Sequence, residues 1–352
     1  MEAFLKLNKF IILIIIFVIF PCISFATEEI MEEEKEALGI SNFIKEAEKY
    51  TEEVFPNLDI EELMNSSIKG EINLGFFKNI FLKLIGEEIT VAIKLMISVL
   101  IVIIINSLCK AIIENLGNEE TIKIVYFLQY MIIVMLVVSS FKEILLLTKE
   151  SISKIINFMN LLVPLFTTLM LTTGCIASSN VIQPILLFLI NFVGNFSNNF
   201  LIPLLLISIA LTIISNISDK VQIASITKHL KSSIVWILGV VLTVFTCLLS
   251  LEGTLSSSVD GLTSKTAKAA VANFIPVVGK ILGDTVETVI GCSNILKNTV
   301  GFIGVIIIIG IVAIPIIKLL VFTVCFKFTA AIGETVAETK VIKLISRHCG
   351  YI

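Results

Sequence analysis

The ionic and amide side chains that could do chemistry in this sequence recur with helical spacing in its last third. Polar residues follow one another at intervals of four, three, four, three and four, at Lys280, Asp284, Glu287, Gly291, Asn294 and Asn298. These intervals place them along one face of a helix, and a second face carries Leu282, Val286, Val289, Ser293, Leu296 and Val300. Such a polar stripe fits the lining of a conduit or a contact with a partner. An interfacial helix with one wetted side explains the same pattern.

A second candidate is Lys318, the charge that lies deepest within a long apolar run. Ionisable residues inside membrane segments are functional candidates by default, because a charge in lipid is costly. Lys94, Lys142, Glu143 and Lys327 also interrupt apolar runs. They lie near helix ends, where they can reach water or, for Lys142 and Glu143, pair with each other. No acidic residue is predicted deep inside a span, which disfavours a carrier coupled to protons or sodium.

The residue types of common catalytic and metal sites are scarce in this chain. There are two histidines, His229 and His348, and seven scattered cysteines without a Cys-x-x-Cys pair. Gly279-Lys280 does not complete a phosphate-binding loop, because Phe274 replaces the first glycine and Ile281 replaces the Ser or Thr. We therefore predict no enzymatic activity, no cofactor, no metal and no nucleic-acid partner.

The elements that must position these residues are apolar helices of membrane length. The chain of 352 residues is 56% hydrophobic and 16% charged, against about 25% charged residues in soluble domains. Because lipid leaves no partner for open backbone groups, and no strand alternation appears, we predict an all-α polytopic membrane protein. About 5–7 transmembrane helices of roughly 20 residues are expected. The predicted spans are Ile89–Cys109, Ile122–Leu147, Ile155–Leu171, Ile234–Leu251 and Val300–Phe328, with Val181–Ile214 as two short spans or a broken re-entrant hairpin.

The first 26 residues are predicted to be an export signal. Lys6 and Lys9 precede the apolar run Phe10–Phe20, and small residues then favour cleavage between Ala26 and Thr27. An uncleaved first membrane helix is the alternative. In either case the segment that follows is expected outside the cytoplasm.

The exported segment is strongly acidic. Residues 27–62 contain 13 Asp and Glu against three Lys, while the whole chain carries a net charge of only −3. This acidic head is interpreted either as a solvated arm or as a docking surface for a basic partner. Lysines in the loop 215–233 and the basic tail are then expected inside, in agreement with the positive-inside rule. The predicted domains are a signal peptide (1–26), an acidic extracytoplasmic head (27–88), a transmembrane helical bundle (89–328, including an amphipathic extracytoplasmic loop, 252–299) and a basic cytoplasmic tail (329–352).

The stretch NFIPVVGKILGDTVETVIGCSNILKNTVG, residues Asn273–Gly301, resembles the signature region of the stage III sporulation protein AE family. The order of export signal, charged head, spans, amphipathic segment and glycine-rich span is similar too. The resemblance implies a permease-like or platform subunit of a channel complex between mother cell and forespore, required for endospore formation. Its implied partners are an ATPase, ring-forming proteins and small membrane proteins, in the mother-cell membrane around the forespore.

The resemblance brings no catalytic residues with it. Members of the family are expected to continue into a further hydrophobic helix, whereas this sequence ends at Ile352 after a basic tail. An alternative function is an independent small-solute transporter built around Val181–Ile214 and Lys318, since broken helices near mid-membrane are typical of transporter sites.

Overall fold

A computed structural model describes residues 28–51, 59–69, 74–114, 119–217, 225–248, 250 and 279–334, and this part of the chain is all-α, as the sequence predicted. The predicted signal peptide with its cleavage site between Ala26 and Thr27, residues 252–278 of the predicted loop and the tail from residue 335 lie outside the described residues. The helices are α1 (Glu28–Ala37), α2 (Ile40–Thr51), α3 (Ile60–Lys69), α4 (Leu74–Glu114), α5 (Glu119–Thr172), α6 (Ile176–Phe196), α7 (Ile202–Ile217), α8 (Ser225–Leu248) and α9 (Gly279–Gly333).

Five stretches of these helices are long and apolar enough to cross a membrane, within the predicted range. They are Glu88–Ile105, Met131–Thr172, Ser178–Thr212, Ser225–Leu248 and Thr288–Gly333. Their lengths differ widely, from 18 residues in α4 to 46 residues in α9.

Two predicted breaks between helices are wrong. The spans Ile122–Leu147 and Ile155–Leu171 belong to one helix of 54 residues, and the amphipathic segment after Lys280 continues without interruption into the last span in a helix of 55 residues. At 1.5 Å per residue each of these helices is about 80 Å long, well above the roughly 30 Å of a hydrocarbon core. The polar residues between the apolar runs, such as Lys149 and Glu150, are good helix formers. The drop in hydropathy there therefore predicted the end of a span, although the helix continues through it.

The prediction for Val181–Ile214 is also wrong. The chain there is neither two separate spans nor a re-entrant hairpin, because a π-helical turn, Ser197–Leu201, connects α6 and α7 with right-handed helical backbone angles at both ends. The Ile202 N–H donates to the Ser197 carbonyl, five residues back. Pro203 has no N–H to continue the regular pattern, and the wider turn accommodates it without ending the helix.

The contacts divide the chain into two compact units, and the first contains the acidic head. It includes Met1–Leu74, Ile155–Asn191 and Val244–Ile311. Gly39, with a φ of 71°, links α1 to α2, and the Asp59 carboxylate caps α3 by accepting from the N–H groups of Glu61 and Glu62 at 2.8 and 3.0 Å. The head helices therefore have well-defined ends.

The core of this unit forms between the amphipathic head and two long helices. The head contributes Ile40, Phe43, Ile44, Ala47, Ile60 and Met64; α5 contributes Phe158, Leu162 and Leu169; α9 contributes Leu296, Val300, Ile303, Ile307 and Ile311. Phe158 lies at the centre, with its ring 6.1 Å from Phe43 and 5.6 Å from Tyr50. Helix α9 approaches α5 closely at Gly304, where an added Cβ would lie 2.7 Å from Leu162 Cδ2.

The second unit includes Gly75–Lys154, Phe192–Thr243 and Val312–Ile352. Its core is lined by Ala92, Val99 and Ile103 of α4, Ile133, Phe141 and Ile144 of α5, Ile209 of α7, and Phe322, Phe326 and Ala330 of α9. Helix α8 is almost fully exposed: only 6% of its most apolar 18-residue stretch is buried. Exposed apolar surface of this extent is normal where lipid is the solvent.

Candidate functional site

An ionic cluster in the second unit contains Lys318, the predicted deep charge. Its Nζ donates to Glu143 Oε1 at 2.6 Å and lies 4.0 Å from Glu88 Oε2. These three residues come from α9, α5 and α4. The Lys318 side chain is 11% exposed and that of Glu88 is 19% exposed, whereas that of Glu143 is 61% exposed. One buried ammonium group therefore connects three apolar helices through two carboxylates.

This cluster lies at one end of the apolar core of its unit. Ala92 follows Glu88 by one helical turn, Phe322 follows Lys318 by one turn, and all the core residues of α4 and α9 lie beyond them. Because Lys318 is mostly buried, its attraction to Glu143 is less screened than in water, although the Glu143 side chain is 61% exposed. Loss of Glu143 would leave the buried ammonium group of Lys318 with the more distant carboxylate of Glu88, at 4.0 Å, which weakens its compensation.

Sequence reasoning missed both carboxylate partners. Glu143 was expected to pair with Lys142 or with water, and Glu88 was not considered, since it precedes the predicted first span by one residue. Glu143 binds Lys318 instead, 175 positions along the chain. No acidic residue was expected deep within a span. Glu88 is the first residue of the candidate span Glu88–Ile105, and Glu143 lies within the 42-residue candidate span Met131–Thr172. The sequence did contain one indication of this ion pair, since isolated charges of opposite sign occur in separate apolar helices.

A set of amide and hydroxyl contacts joins α5 to α6 within the first unit. Asn191 Nδ2 donates to Asn160 Oδ1 at 2.9 Å, and Thr167 Oγ1 donates to Gln183 Oε1 at 3.2 Å. Ser179 Oγ donates to the Thr167 carbonyl at 2.7 Å. These residues belong to a stretch of the chain, residues 155–218, without a single charged side chain. Polar pairs between apolar helices hold the two helices in one register.

The second unit has a related contact at the π-helical turn. Asn198 Nδ2 donates to Ser153 Oγ at 3.0 Å, and Ser153 Oγ donates in turn to the Lys149 carbonyl at 3.1 Å. Because the hydroxyl proton of Ser153 is used on Lys149, the oxygen of Ser153 is the acceptor for Asn198. Asn198 lies within Val181–Ile214, the segment for which the sequence predicted two short spans or a re-entrant hairpin, and its contact with Ser153 was not predicted.

The predicted polar stripe on α9 is partly described. Lys280, Asp284 and Glu287 lie on the helix, and their side chains are outside the described part of the structure. Asn294 is half-buried and its Oδ1 accepts from Lys297 Nζ at 3.1 Å, while Asn298 is exposed. The opposite face is fully buried at Ser293, Leu296 and Val300.

The head contacts this buried face through Glu34. Ser293 Oγ donates to both carboxylate oxygens of Glu34, at 3.1 and 3.2 Å. Burial raises the pKa of the Glu34 carboxyl above its ordinary value, and the Ser293 hydroxyl opposes this by stabilising the ionised form. The contact was not expected from the sequence, which assigned Ser293 to the apolar face of α9.

Among the described residues, no group of three or more His, Cys, Asp or Glu side chains is placed to hold a metal ion. The arrangement contains ion pairs and amide pairs that connect helices. Such groups can line a polar path or fix helix positions in lipid.

Comparison with known proteins identifies the family. The sequence model of stage III sporulation protein AE matches residues 58–352. The chain belongs to this family. A stage III sporulation protein AE from Bacillus subtilis (strain 168) is 33% identical over 261 residues, which cover 73% of the chain and 65% of that protein. The chain therefore matches a little less than two thirds of its relative. No solved structure matches it. The resemblance noted at Asn273–Gly301 is thus confirmed at the level of the family.

Proposed function

We propose that this member of the stage III sporulation protein AE family is a membrane subunit of the channel complex that joins mother cell and forespore. In this role it is a permease-like or platform component in the mother-cell membrane around the forespore. The family supplies the connection to sporulation. The five candidate spans among the described residues favour a structural or conducting subunit that lies in the membrane.

The observation that carries the proposal is the fixed acidic surface of the head. Its apolar faces are buried in the core of the first unit. The exposed carboxylates of the described head belong to Glu32, Glu33, Glu36, Glu46, Glu48, Asp59, Glu61 and Glu62, and the exposed lysines are Lys45 and Lys49. A surface that is ordered by packing and carries one dominant charge favours a basic partner and speeds its approach. We infer that it binds a basic protein of the complex, with Asp284, Glu287 and Asn298 of α9 as further contacts.

Two experiments test this role. Deletion of the gene is expected to block sporulation after engulfment, and a normal spore yield would contradict the proposal. Charge reversal of Glu32, Glu33 and Glu36 to lysine is expected to reduce recovery of the partner subunits with the tagged protein. Glu120→Lys serves as the control, since Glu120 is an exposed carboxylate of the second unit. Equal recovery with both variants would argue against the head as the docking surface.

A second candidate function is transport of a small solute by this chain alone. The polar contacts of Asn160 with Asn191 and of Thr167 with Gln183 favour it, since they place hydrogen-bonding groups within the uncharged stretch of residues 155–218. The helix continues through Val181–Ile214 without a break, so this segment no longer supports a transporter on the ground that broken helices are typical of transporter sites. Solute uptake by vesicles that contain only the purified chain would support this function, and dependence of uptake on other subunits would support the complex.

A further inference from the structure

The π-helical turn and α7 together bury one side of the chain, which we call the α7 face. It includes Asn198 and Leu201 of the turn and Ser208 and Ile209 of α7. Asn198 is 7% exposed and Ser208 is 1% exposed, yet Asn198 Oδ1 and Ser208 Oγ have no hydrogen-bond partner among the described residues. Buried polar atoms are usually satisfied by protein or by ordered water, because an unsatisfied one has lost its hydration without a replacement.

The acceptor atoms of Asn198 lack their usual donors. Its Nδ2 donates to Ser153 Oγ at 3.0 Å, which leaves Oδ1 as the unsatisfied atom of the side chain. In a regular α-helix the Ile202 N–H would donate to the Asn198 carbonyl, but at the π-helical turn it donates to the Ser197 carbonyl. Pro203, the next residue, has no N–H to replace it. One residue therefore presents two oxygen acceptors at the same turn.

Ser208 differs from three other buried hydroxyl residues of the second unit. Ser140, Thr212 and Thr329 each donate to the carbonyl four residues before them, at 2.8 to 3.0 Å. Within the described part of the chain, the Ser208 hydroxyl makes no such bond. It therefore has a proton to donate and lone pairs that can accept.

The level of Ser208 within the unit follows from two contacts of the α7 face. Asn198 contacts Ser153 of α5, and Ile209 belongs to a core whose α5 members all precede Ser153. The two helical segments therefore run antiparallel. Ten residues separate Asn198 from Ser208, and ten separate Ser153 from Glu143. Equal numbers of residues advance two helices by about equal distances, so Ser208 lies at about the level of the ionic cluster.

The unsatisfied atoms of the α7 face suit a small neutral ligand that both donates and accepts. Residues 155–218 contain no charged side chain, so the π-helical turn offers no opposite charge to a bound ion. A water molecule can donate to the two acceptors of Asn198 and can bind the hydroxyl of Ser208 in either sense. Buried water in proteins typically makes about three hydrogen bonds to groups of this kind.

We propose that water reaches the α7 face in the second unit and binds at Asn198 and at Ser208. The two sites are about 15 Å apart along the helix, and the second lies at the level of the ionic cluster. The α7 face is therefore the lining of a water-accessible interior. This inference does not depend on the proposed function, because hydration is measured on the purified chain without other subunits. A dry α7 face would overturn it and leave the docking of the head unaffected.

Silver ion tests the site at Ser208, because Ag⁺ is small and binds thiolates, which form poorly in apolar surroundings. In the purified full-length Ser208→Cys chain, Ag⁺ is expected to block the introduced thiol on the order of ten-fold faster than the native thiol of Cys292. Cys292 is fully buried, and exposed Cys247 is the positive control. Alkylation after unfolding, read by mass spectrometry, shows which thiols remained free. Equal rates for the introduced thiol and Cys292 would overturn the proposal.

Ile209→Cys is the matched control, since it places a thiol at the neighbouring residue of the apolar core. This thiol is expected to react as slowly as Cys292. Fast reaction of both introduced thiols would show a general opening of the unit and would contradict a defined water site at Ser208.

Radiolytic labelling tests the site at Asn198 on the unaltered chain. X-rays convert bound water into hydroxyl radicals, which label the side chains beside it. Leu201 follows Asn198 by three residues and is 6% exposed, and Leu162 of the first apolar core is similarly buried at 8%. Leu201 is expected to be labelled faster than Leu162, and Asn198→Leu is expected to remove the difference. Equal labelling of the two leucines in the wild-type chain, or unchanged labelling of Leu201 in the variant, would overturn the proposal.

Discussion

Glu34 of the head and Ser293 of α9, which are 259 positions apart, form a hydrogen-bonded contact with oxygen–oxygen distances of 3.1 and 3.2 Å. The contact attaches the acidic head to the fully buried face of α9. Glu34 is partly buried by this contact, whereas most of the other described carboxylates of the head are exposed. The head is thus a packed part of the first unit as well as a charged surface.

The pH dependence of head docking follows from this contact. Burial raises the pKa of Glu34, so the folded state binds a proton more tightly than the unfolded state does. Its contribution to stability is fully present below the ordinary pKa of 4.5 and is lost as the pH rises through the raised value. Limited proteolysis of the head between about pH 4 and about pH 8 should show slower cleavage at the acidic end. Glu34→Gln should flatten this dependence, and an unchanged profile in that variant would assign it to another group.

Removal of the charge on Lys318 is expected to destabilise the second unit. Lys318→Met leaves Glu143 and Glu88 without their shared cation, at a cost of about 1–3 kcal/mol after allowance for the exposure of Glu143. The double change Lys318→Met and Glu143→Gln should recover part of this loss, since it also removes the carboxylate that had bound Lys318 at 2.6 Å. Thermal unfolding in detergent measures both. Strict additivity of the two changes would show that the pair does not interact.

The close approach of α9 to α5 predicts a steric effect at Gly304. An added Cβ would lie 2.7 Å from Leu162 Cδ2, so Gly304→Val is expected to cost about 1–3 kcal/mol through overpacking. Gly291→Ala is the matched control on the same helix, because no atom lies within 4 Å of its added Cβ. It should be neutral or stabilising, since alanine favours the helix. Equal melting temperatures for both variants would refute the close contact.

The pair of Asn160 and Asn191 predicts an asymmetric response to substitution. Asn191→Leu alone leaves the Asn160 amide without its partner and is expected to cost about 0.6 kcal/mol, the average measured for polar contacts between membrane helices, and at most about 1.7 kcal/mol. The double change of both residues to leucine should be less harmful than the sum of the single changes, because no amide then remains unpaired. A double-mutant cycle on thermal stability measures the coupling, and a coupling energy of zero would contradict the pair.

Much of the fold could be predicted from the sequence. Apolar runs without strand alternation are sufficient to specify helices in lipid, because the backbone has no other way to satisfy its polar groups there. The apolar residues Phe43, Ile44 and Ala47 are compatible with a short amphipathic helix on sequence alone, and all three are buried in α2. Asn273–Gly301 carried enough specific residues to indicate the family. All of these signals are local, since they depend on the composition and period of a single segment.

The tertiary structure alone decided which polar groups meet. Lys318 and Glu143, or Glu34 and Ser293, have no local pattern that joins them, because their contacts depend on how separate helices pack. The continuity of α5 and α9 was likewise hidden, since polar residues such as Lys149 and Glu150 can continue a helix as readily as they can end a span. Hydropathy reports which solvent a segment prefers. The choice of partner depends on distances that only the packed chain fixes.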